Sequence, residues 1–199
     1  NFQPALEPLS IASVGEGRQG ALRSVNGPAT RIIGASLAIP QSAVITSATA
    51  GATLELAGVI TVGGTNTYVL FEGAGDTLVS SSFGTATSSL IKNGTGTLTL
   101  ATANTYQGTT TINSGTLIAR NSAALGTGTA GLSIENGAAL GLEGGITIAD
   151  KPAEVNGNGG AHPGVIYSIS GDNRFTGNII AEAVPTALNG TPTGEVQLG

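Results

Sequence analysis

A glycine followed within three residues by a leucine recurs along this chain at nearly constant spacing. The leucines are Leu54, Leu78, Leu98, Leu117 and Leu140. Apolar and polar residues alternate around each leucine, which is typical of a short strand with one buried face. A regular spacing of this length without intervening helical patterns predicts a β-solenoid with coils of roughly 20–24 residues. A β-sandwich also uses short strands, but it predicts no periodic landmark.

A second pattern of polar and aromatic residues recurs beside the leucines. It is found at Asn66-Thr67-Tyr68, at Asn104-Thr105-Tyr106-Gln107-Gly108 and at Asn173-Arg174-Phe175-Thr176-Gly177. The separations between the three aromatic residues correspond to about two and about three coils of the same period. Several Asn-Gly pairs lie between the strand patterns, and both residue types tolerate the positive φ of tight turns. We expect Tyr106 to stack against neighbouring coils.

The composition separates this chain from several other classes of protein. Of its 199 residues, 40% are hydrophobic and 10% are charged, whereas disordered linkers are poor in apolar residues and rich in charge. The formal net charge is −5 and the Lys and Arg residues are scattered, so nucleic acid binding is not expected. There is no cysteine and no apolar run long enough to span a bilayer. We therefore expect neither disulfides nor membrane insertion.

A longer internal similarity lies on top of the coil period. Residues 8–25 align with residues 152–169 at a constant offset of 144. We predict an N-terminal arm over residues 1–7 and one solenoid domain over residues 8–199. That domain consists of a long unit, 8–151, and a partial second unit, 152–199.

The stretch from Gly94 to Leu117 resembles the autotransporter-associated β-strand repeat, also called the passenger-associated transport repeat. The matching landmark positions are Gly96, Leu98, Leu100, Asn104, Tyr106, Gly108, Ile112, Gly115 and Leu117, with a weaker echo at Asn173, Phe175 and Gly177. The resemblance implies a right-handed parallel β-helix in a large secreted bacterial surface protein. It implies that these residues build coils and attaches no catalytic role to them.

No residue pattern indicates catalysis, a cofactor or a metal ion. The single histidine, His162, lies in a glycine-rich turn without an adjacent nucleophile or acidic partner, so a surface loop is the favoured interpretation. Glu135 and Glu143 are separated in sequence and do not form a paired-carboxylate motif for sugar hydrolysis. We expect a non-enzymatic protein without a cofactor.

These observations favour an extracellular structural protein, a rod of a bacterial surface filament or layer. The chain lacks capping helices, so we expect it to assemble end to end as a homo-oligomer or polymer through its N-terminal arm and open terminal coils. The candidate self-assembly residues are Asn1, Phe2, Gln3, Pro4, Val196 and Leu198. An adhesin or passenger segment that binds a surface glycan or protein is the alternative. A carbohydrate-active β-helix enzyme is a third and weaker hypothesis.

Overall fold

The computed structural model describes residues 9–13, 15, 20–25, 30–84 and 88–182, and every regular element in these ranges is a β-strand. In chain order the strands are β1 (Leu9–Ser10), β2 (Leu22–Ser24), β3 (Thr30–Ile33), β4 (Leu37–Ile39), β5 (Ala43–Ser47), β6 (Thr53–Leu56), β7 (Ile60–Val62), β8 (Tyr68–Glu72), β9 (Asp76–Val79), β10 (Ser89–Lys92), β11 (Thr97–Leu100), β12 (Thr110–Ile112), β13 (Thr116–Ala119), β14 (Leu132–Ile134), β15 (Ala139–Glu143), β16 (Thr147–Ile148), β17 (Ala153–Asn156), β18 (Ile166–Ser170), β19 (Arg174–Phe175) and β20 (Ile179–Glu182).

These strands stack as a parallel β-solenoid of about seven coils, so the predicted fold class is confirmed. One face is an eight-stranded sheet in the order β2-β5-β8-β10-β12-β14-β17-β20. A second face is a seven-stranded sheet in the order β18-β15-β13-β11-β9-β6-β3. Two small sheets, β1-β4-β7 and β16-β19, complete the described coils. Each described strand pairs with a strand of the preceding or following coil and not with its neighbour in sequence.

The coil length varies along the axis. Leu98 is the register partner of Leu117, whereas Leu9 pairs with the more distant Leu37, so the first described coil is longer than a central one. The predicted coil length therefore fits the central coils, and the terminal ones carry longer loops. Loops vary in this way because they run over the surface, while the strands must keep the register that buries one face.

Inward-facing residues form columns that run along the solenoid axis. On the seven-stranded sheet one column contains Leu54, Thr77, Leu98, Leu117, Leu140 and Ile166. On the eight-stranded sheet the equivalent column contains Ile45, Phe71, Lys92, Ile112, Ile134 and Val155. The two sets of columns meet in one continuous hydrophobic core.

Leu78 does not belong to the leucine column that its spacing predicted. Thr77 is the residue that pairs with both Leu54 and Leu98, and it is buried, whereas Leu78 pairs with Glu55 and is only half-buried. The number of residues between the glycine and the inward position changes from coil to coil. Because side chains alternate along a strand, a difference of one residue moves Leu78 to the other face.

Tyr68 is likewise not equivalent to Tyr106. It begins β8 on the eight-stranded sheet and is half-buried on the outer face, while Tyr106 lies between β11 and β12 inside the core. The ring that packs against Tyr106 belongs to Phe83, which the sequence pattern did not indicate. The Asn-Thr-Tyr pattern recurs in the sequence, but Tyr68 and Tyr106 take different positions in their coils.

The solenoid is continuous across position 152, because β14 pairs with β17. Leu22 and Ile166, which the offset of 144 aligns, lie in different sheets. The division into units 8–151 and 152–199 stays a prediction, and the arm over residues 1–7 lies outside the described residues.

The contrast between Leu98 and Leu78 yields a direct test of the register. Leu98→Ala should lower the free energy of unfolding by about 2–5 kcal/mol, because it opens a cavity in a fully buried column. Leu78→Ala is the matched control and should cost about 1 kcal/mol or less. Urea denaturation followed by circular dichroism measures both. Equal losses would contradict the assigned register.

Candidate functional site

The central coils enclose a column of three aromatic rings. Tyr106 is 0% exposed and meets Phe83 edge to face, with 5.3 Å between ring centroids and 63° between planes. Phe83 meets Phe71 in the same manner at 6.0 Å and 70°. Such pairs contribute about 0.5–1.5 kcal/mol beyond the area they bury. Tyr106, which was expected to stack against neighbouring coils, thus contacts one aromatic ring, that of Phe83, edge to face.

The phenol of Tyr106 is kept neutral inside this column. Its hydroxyl lies 2.8 Å from the Thr110 hydroxyl, which is also fully buried. Burial raises the pKa of Tyr106 well above its ordinary value, and the hydrogen bond with Thr110 opposes that shift only in part. Tyr106 therefore serves packing, and it carries no charge at any ordinary pH.

Asn104 ties three successive coils together. Its Oδ1 accepts a hydrogen bond from the backbone N–H of Phe83 at 2.9 Å, in the preceding coil. Its Nδ2 donates to the backbone carbonyl of Ala124 at 2.7 Å, in the following coil. Asn104 is itself buried, so it satisfies two backbone groups that water does not reach. The sequence indicated a turn here and gave no sign of this bridge.

Asn173 repeats half of that arrangement near the other end of the described coils. Its Oδ1 accepts a hydrogen bond from the backbone N–H of Ile146 at 2.9 Å. Its Nδ2, which carries two hydrogens, lies within hydrogen-bonding distance of the carbonyls of Leu142 and Ser170 and of the Ser168 hydroxyl. Phe175 packs partly buried against the core. The predicted echo of the landmark thus has a structural basis in the asparagine.

The glycine landmarks lie where backbones of successive coils approach closely. A side chain at Gly96 would collide with the carbonyl of Gly75, and one at Gly177 would collide with the carbonyl of Lys151. Gly115 has a φ of +71°, a conformation that L side chains rarely adopt. The apolar landmarks are fully buried, namely Leu98, Leu100, Ile112 and Leu117.

Both lysines of the chain are buried. Lys92 is 3% exposed and lies in the inward column between Phe71 and Ile112. Its Nζ donates to the carbonyls of Asn93 and Gly94 at 2.8 Å each, and to the carbonyl of Ser114 at 3.1 Å. Burial lowers the pKa of Lys92 to about 8, against a smaller attraction from Asp76. Apolar and polar residues do not alternate in β10, which reads Ser-Leu-Ile-Lys, so the sequence carried no sign that this lysine faces inward.

Lys151 is also buried, but it lies in the loop between β16 and β17 and not in the column of Lys92, where the later coil has Val155. It is 3% exposed, and its Nζ donates to the carbonyl of Gly128 at 2.9 Å and lies 6.0 Å from the centre of the Tyr106 ring. Burial lowers its pKa as well. A cation over an aromatic face is favourable, so this contact offsets part of the desolvation cost. No sequence pattern connected Lys151 with Tyr106.

The candidates for chemistry are engaged in structural contacts. His162 is half-buried in its loop, where it stacks on Tyr167 and its Nε2 lies 2.7 Å from the Thr116 hydroxyl. Glu143 forms a salt bridge with Arg120, and Glu135 accepts a hydrogen bond from Ser133. Within the described ranges there is no cluster of three His, Cys, Asp or Glu arranged to hold a metal ion. The described part of the chain contains no helix that is long and apolar enough to cross a membrane.

The candidate self-assembly residues lie outside the described residues: Asn1, Phe2, Gln3, Pro4, Val196 and Leu198. Their role stays a prediction.

The coils that hold Asn104 and Tyr106 coincide with a known repeat. Residues 90–119 match the passenger-associated-transport-repeat. This confirms the resemblance drawn from the sequence, and it covers β11 through β13 together with most of β10. Comparison with curated proteins and with solved structures gave no match. The repeat supports a passenger-like β-helix segment.

The bridge formed by Asn104 can be tested by removing its side chain. Asn104→Ala should lower the free energy of unfolding by about 2–4 kcal/mol, because it leaves a buried N–H and a buried carbonyl unpaired. Asn113→Ala is the matched control, since Asn113 is exposed and its side chain bonds to the Asn93 side chain. Its cost should stay below about 1 kcal/mol. Urea denaturation measures both, and similar losses would contradict the bridging role.

The buried lysines predict an unusual dependence of stability on pH. Below pH 8, Lys92 is protonated in both states, whereas between pH 8 and its unfolded value of 10.5 the unfolded state binds more protons. Stability should therefore rise with pH from about 8 to about 10. Above about pH 10, Tyr106 loses its proton in the unfolded state but keeps it in the folded state, because burial raises its folded pKa. The free energy of unfolding should therefore fall with pH in that range.

Urea denaturation at half-unit intervals across the alkaline range measures this profile. Lys92→Met should reduce the rise, and Lys92→Met with Lys151→Met should abolish it. A wild-type stability that falls steadily above neutral pH would show that neither ammonium is desolvated in the folded protein.

Proposed function

We propose that this chain is a non-enzymatic β-solenoid rod belonging to a secreted or surface-exposed bacterial protein, and that it assembles end to end. The observation that carries the proposal is the passenger-associated-transport-repeat within a core whose inward columns run unbroken through the described coils. In such a structure each coil contacts only its neighbours, so length is gained by adding coils. A rod of this kind spaces or builds a surface layer.

The absence of catalytic function is part of the proposal and rests on how the carboxylates are used. Glu135 and Glu143 are each bonded to neighbouring side chains. A glycoside hydrolase needs two carboxyl groups facing one sugar linkage across a cleft. The enzyme alternative is therefore not favoured.

End-to-end assembly is supported by the last described coil. Within the described residues, β18 and β20 are the terminal strands of their sheets. Ser168 and Ala181 occupy inward positions opposite Leu142 and Val155, yet both are exposed. An exposed edge of this kind is a template for a further strand, and the chain's own residues 183–199, which lie outside the described residues, are one source of that strand besides another molecule. A contact between unlike ends is heterologous, so its repetition gives an open filament.

The assembly proposal is tested on the purified chain. Light scattering after size exclusion, from micromolar to millimolar concentration, should detect association that increases with concentration, and negative-stain images should contain fibres. Ser168→Lys with Ala181→Lys should remain monomeric, because charges in the core cross-section oppose stacking of another coil. Thr61→Lys with Thr95→Lys is the control with equal charge at exposed sites within the rod.

A wild-type chain that stays monomeric at every concentration would overturn end-to-end assembly and leave a passenger or adhesin segment as the better hypothesis. The non-enzymatic part has a separate readout. Incubation with neutral and acidic polysaccharides should release no new reducing ends, and measurable release would overturn it.

A further inference from the structure

An open groove of about 450 Å³ lies on the outer face of the eight-stranded sheet. It spans β8, β10 and β12 near the start of each strand, together with adjoining loops. Its walls include Asn66, Tyr68, Ser89, Ile91, Thr109 and Thr111. The groove is open to solvent, so it suits a ligand that lies along the surface of the sheet and not one that is enclosed. None of the core packing described above uses this surface.

The side chains of the groove have one consistent chemistry. Every described residue that lines it is uncharged. Ser89, Thr109 and Thr111 offer hydroxyl groups, Asn66 offers an amide, and Tyr68 offers a half-buried ring. Hydroxyl and amide groups exchange hydrogen bonds with either donors or acceptors, and an aromatic ring packs against C–H surface. A neutral carbohydrate presents both kinds of surface, with hydroxyl groups at its rim and C–H groups on its faces.

The polar and aromatic side chains of the groove follow one another from coil to coil along the solenoid axis. Tyr68 is the register partner of Ser89, and the Thr109 hydroxyl donates to the Ser89 hydroxyl at 3.5 Å. Ile91 pairs with Thr111 in the adjacent row. Neighbouring strands are about 4.8 Å apart, so each coil adds one outward side chain per step. An elongated ligand that lies along the axis meets a further set of groups at each step.

The backbone holds this surface in place and keeps it open. The N–H of Tyr68 donates to the Ser42 hydroxyl at 3.1 Å, which fixes the start of β8. A side chain at position 108 would collide with the Ser89 hydroxyl and the Ser88 carbonyl, so Gly108 adds no bulk to the groove. Groups carried by a rigid sheet lose little freedom when a ligand binds.

From these observations we infer that the groove bounded by Tyr68 and the Ser89–Thr109 row binds a neutral oligosaccharide, with the tyrosine ring packed against a sugar face. The inference does not rest on end-to-end assembly, because the groove lies on the side of the rod and not at its ends. An anionic glycan is a poorer fit, since no lysine or arginine lines the described part of the groove. The rod thereby presents a binding surface on its side, at the coils of β8, β10 and β12.

The test uses cellohexaose, maltohexaose and xylohexaose as neutral probes and hexagalacturonate as the charged one. Titration by NMR on the labelled chain should reveal at least one neutral probe with a dissociation constant of about 1 mM or below. The shifted amides should include those of Ser89, Thr109 and Thr111. Absence of any neutral binding at about 10 mM, or preference for hexagalacturonate, overturns the inference.

Matched variants locate the site. Tyr68→Ala should weaken binding at least about tenfold, while Tyr68→Phe, which keeps the ring, should stay within about threefold of wild type. Tyr167→Ala removes a half-buried tyrosine from the other sheet and should leave affinity unchanged. Thr109→Ala removes an exposed hydroxyl from the groove and should also weaken binding. Thr95→Ala removes an exposed hydroxyl outside the groove and is its control. Thermal unfolding verifies that each variant is folded, and equal affinity of Tyr68→Ala and wild type overturns the inference.

Discussion

Parallel pairing between successive coils is the constraint on which this structure depends. Each strand hydrogen-bonds to the strand one coil away, so each inward side chain lies beside its counterpart in the next coil. Leu98, for example, has Thr77 on one side and Leu117 on the other. An inward side chain therefore fits only if its size and polarity match those of its neighbours along the column. This requirement explains why the core is continuous and why a shift of one position is costly.

The polar groups inside the core are compatible with that constraint because they have partners within the coil stack. Asn104 bonds to backbone groups on either side of its own coil, and Lys92 places its ammonium among three carbonyls. The Tyr106 hydroxyl forms a hydrogen bond with the hydroxyl of Thr110 at the start of β12. Buried polar groups that are satisfied stabilise one register over others, since a slipped coil would leave them unpaired. They also make stability depend on pH through the two lysines.

Inward and outward residues of each strand have different roles, and this difference connects the architecture with function. Inward columns determine the fold, while outward residues on the same strands are free to differ from coil to coil. Tyr68, Ser89 and Thr109 lie on the outer surface, and they form the groove without disturbing the columns beneath. A rod and a binding surface are thus built from alternate residues of the same chain.

The sequence by itself determined the β-solenoid class, the approximate coil length and the burial of the landmark residues Leu98, Leu100, Ile112 and Leu117. It did so because periodicity and alternation are local properties that survive without three-dimensional information. Only the tertiary structure decided that Thr77 and not Leu78 faces inward, that Phe83 packs against Tyr106, and that Lys151 lies over the same ring. These contacts join residues of different coils, and loops of variable length set their register, so no local pattern encodes them.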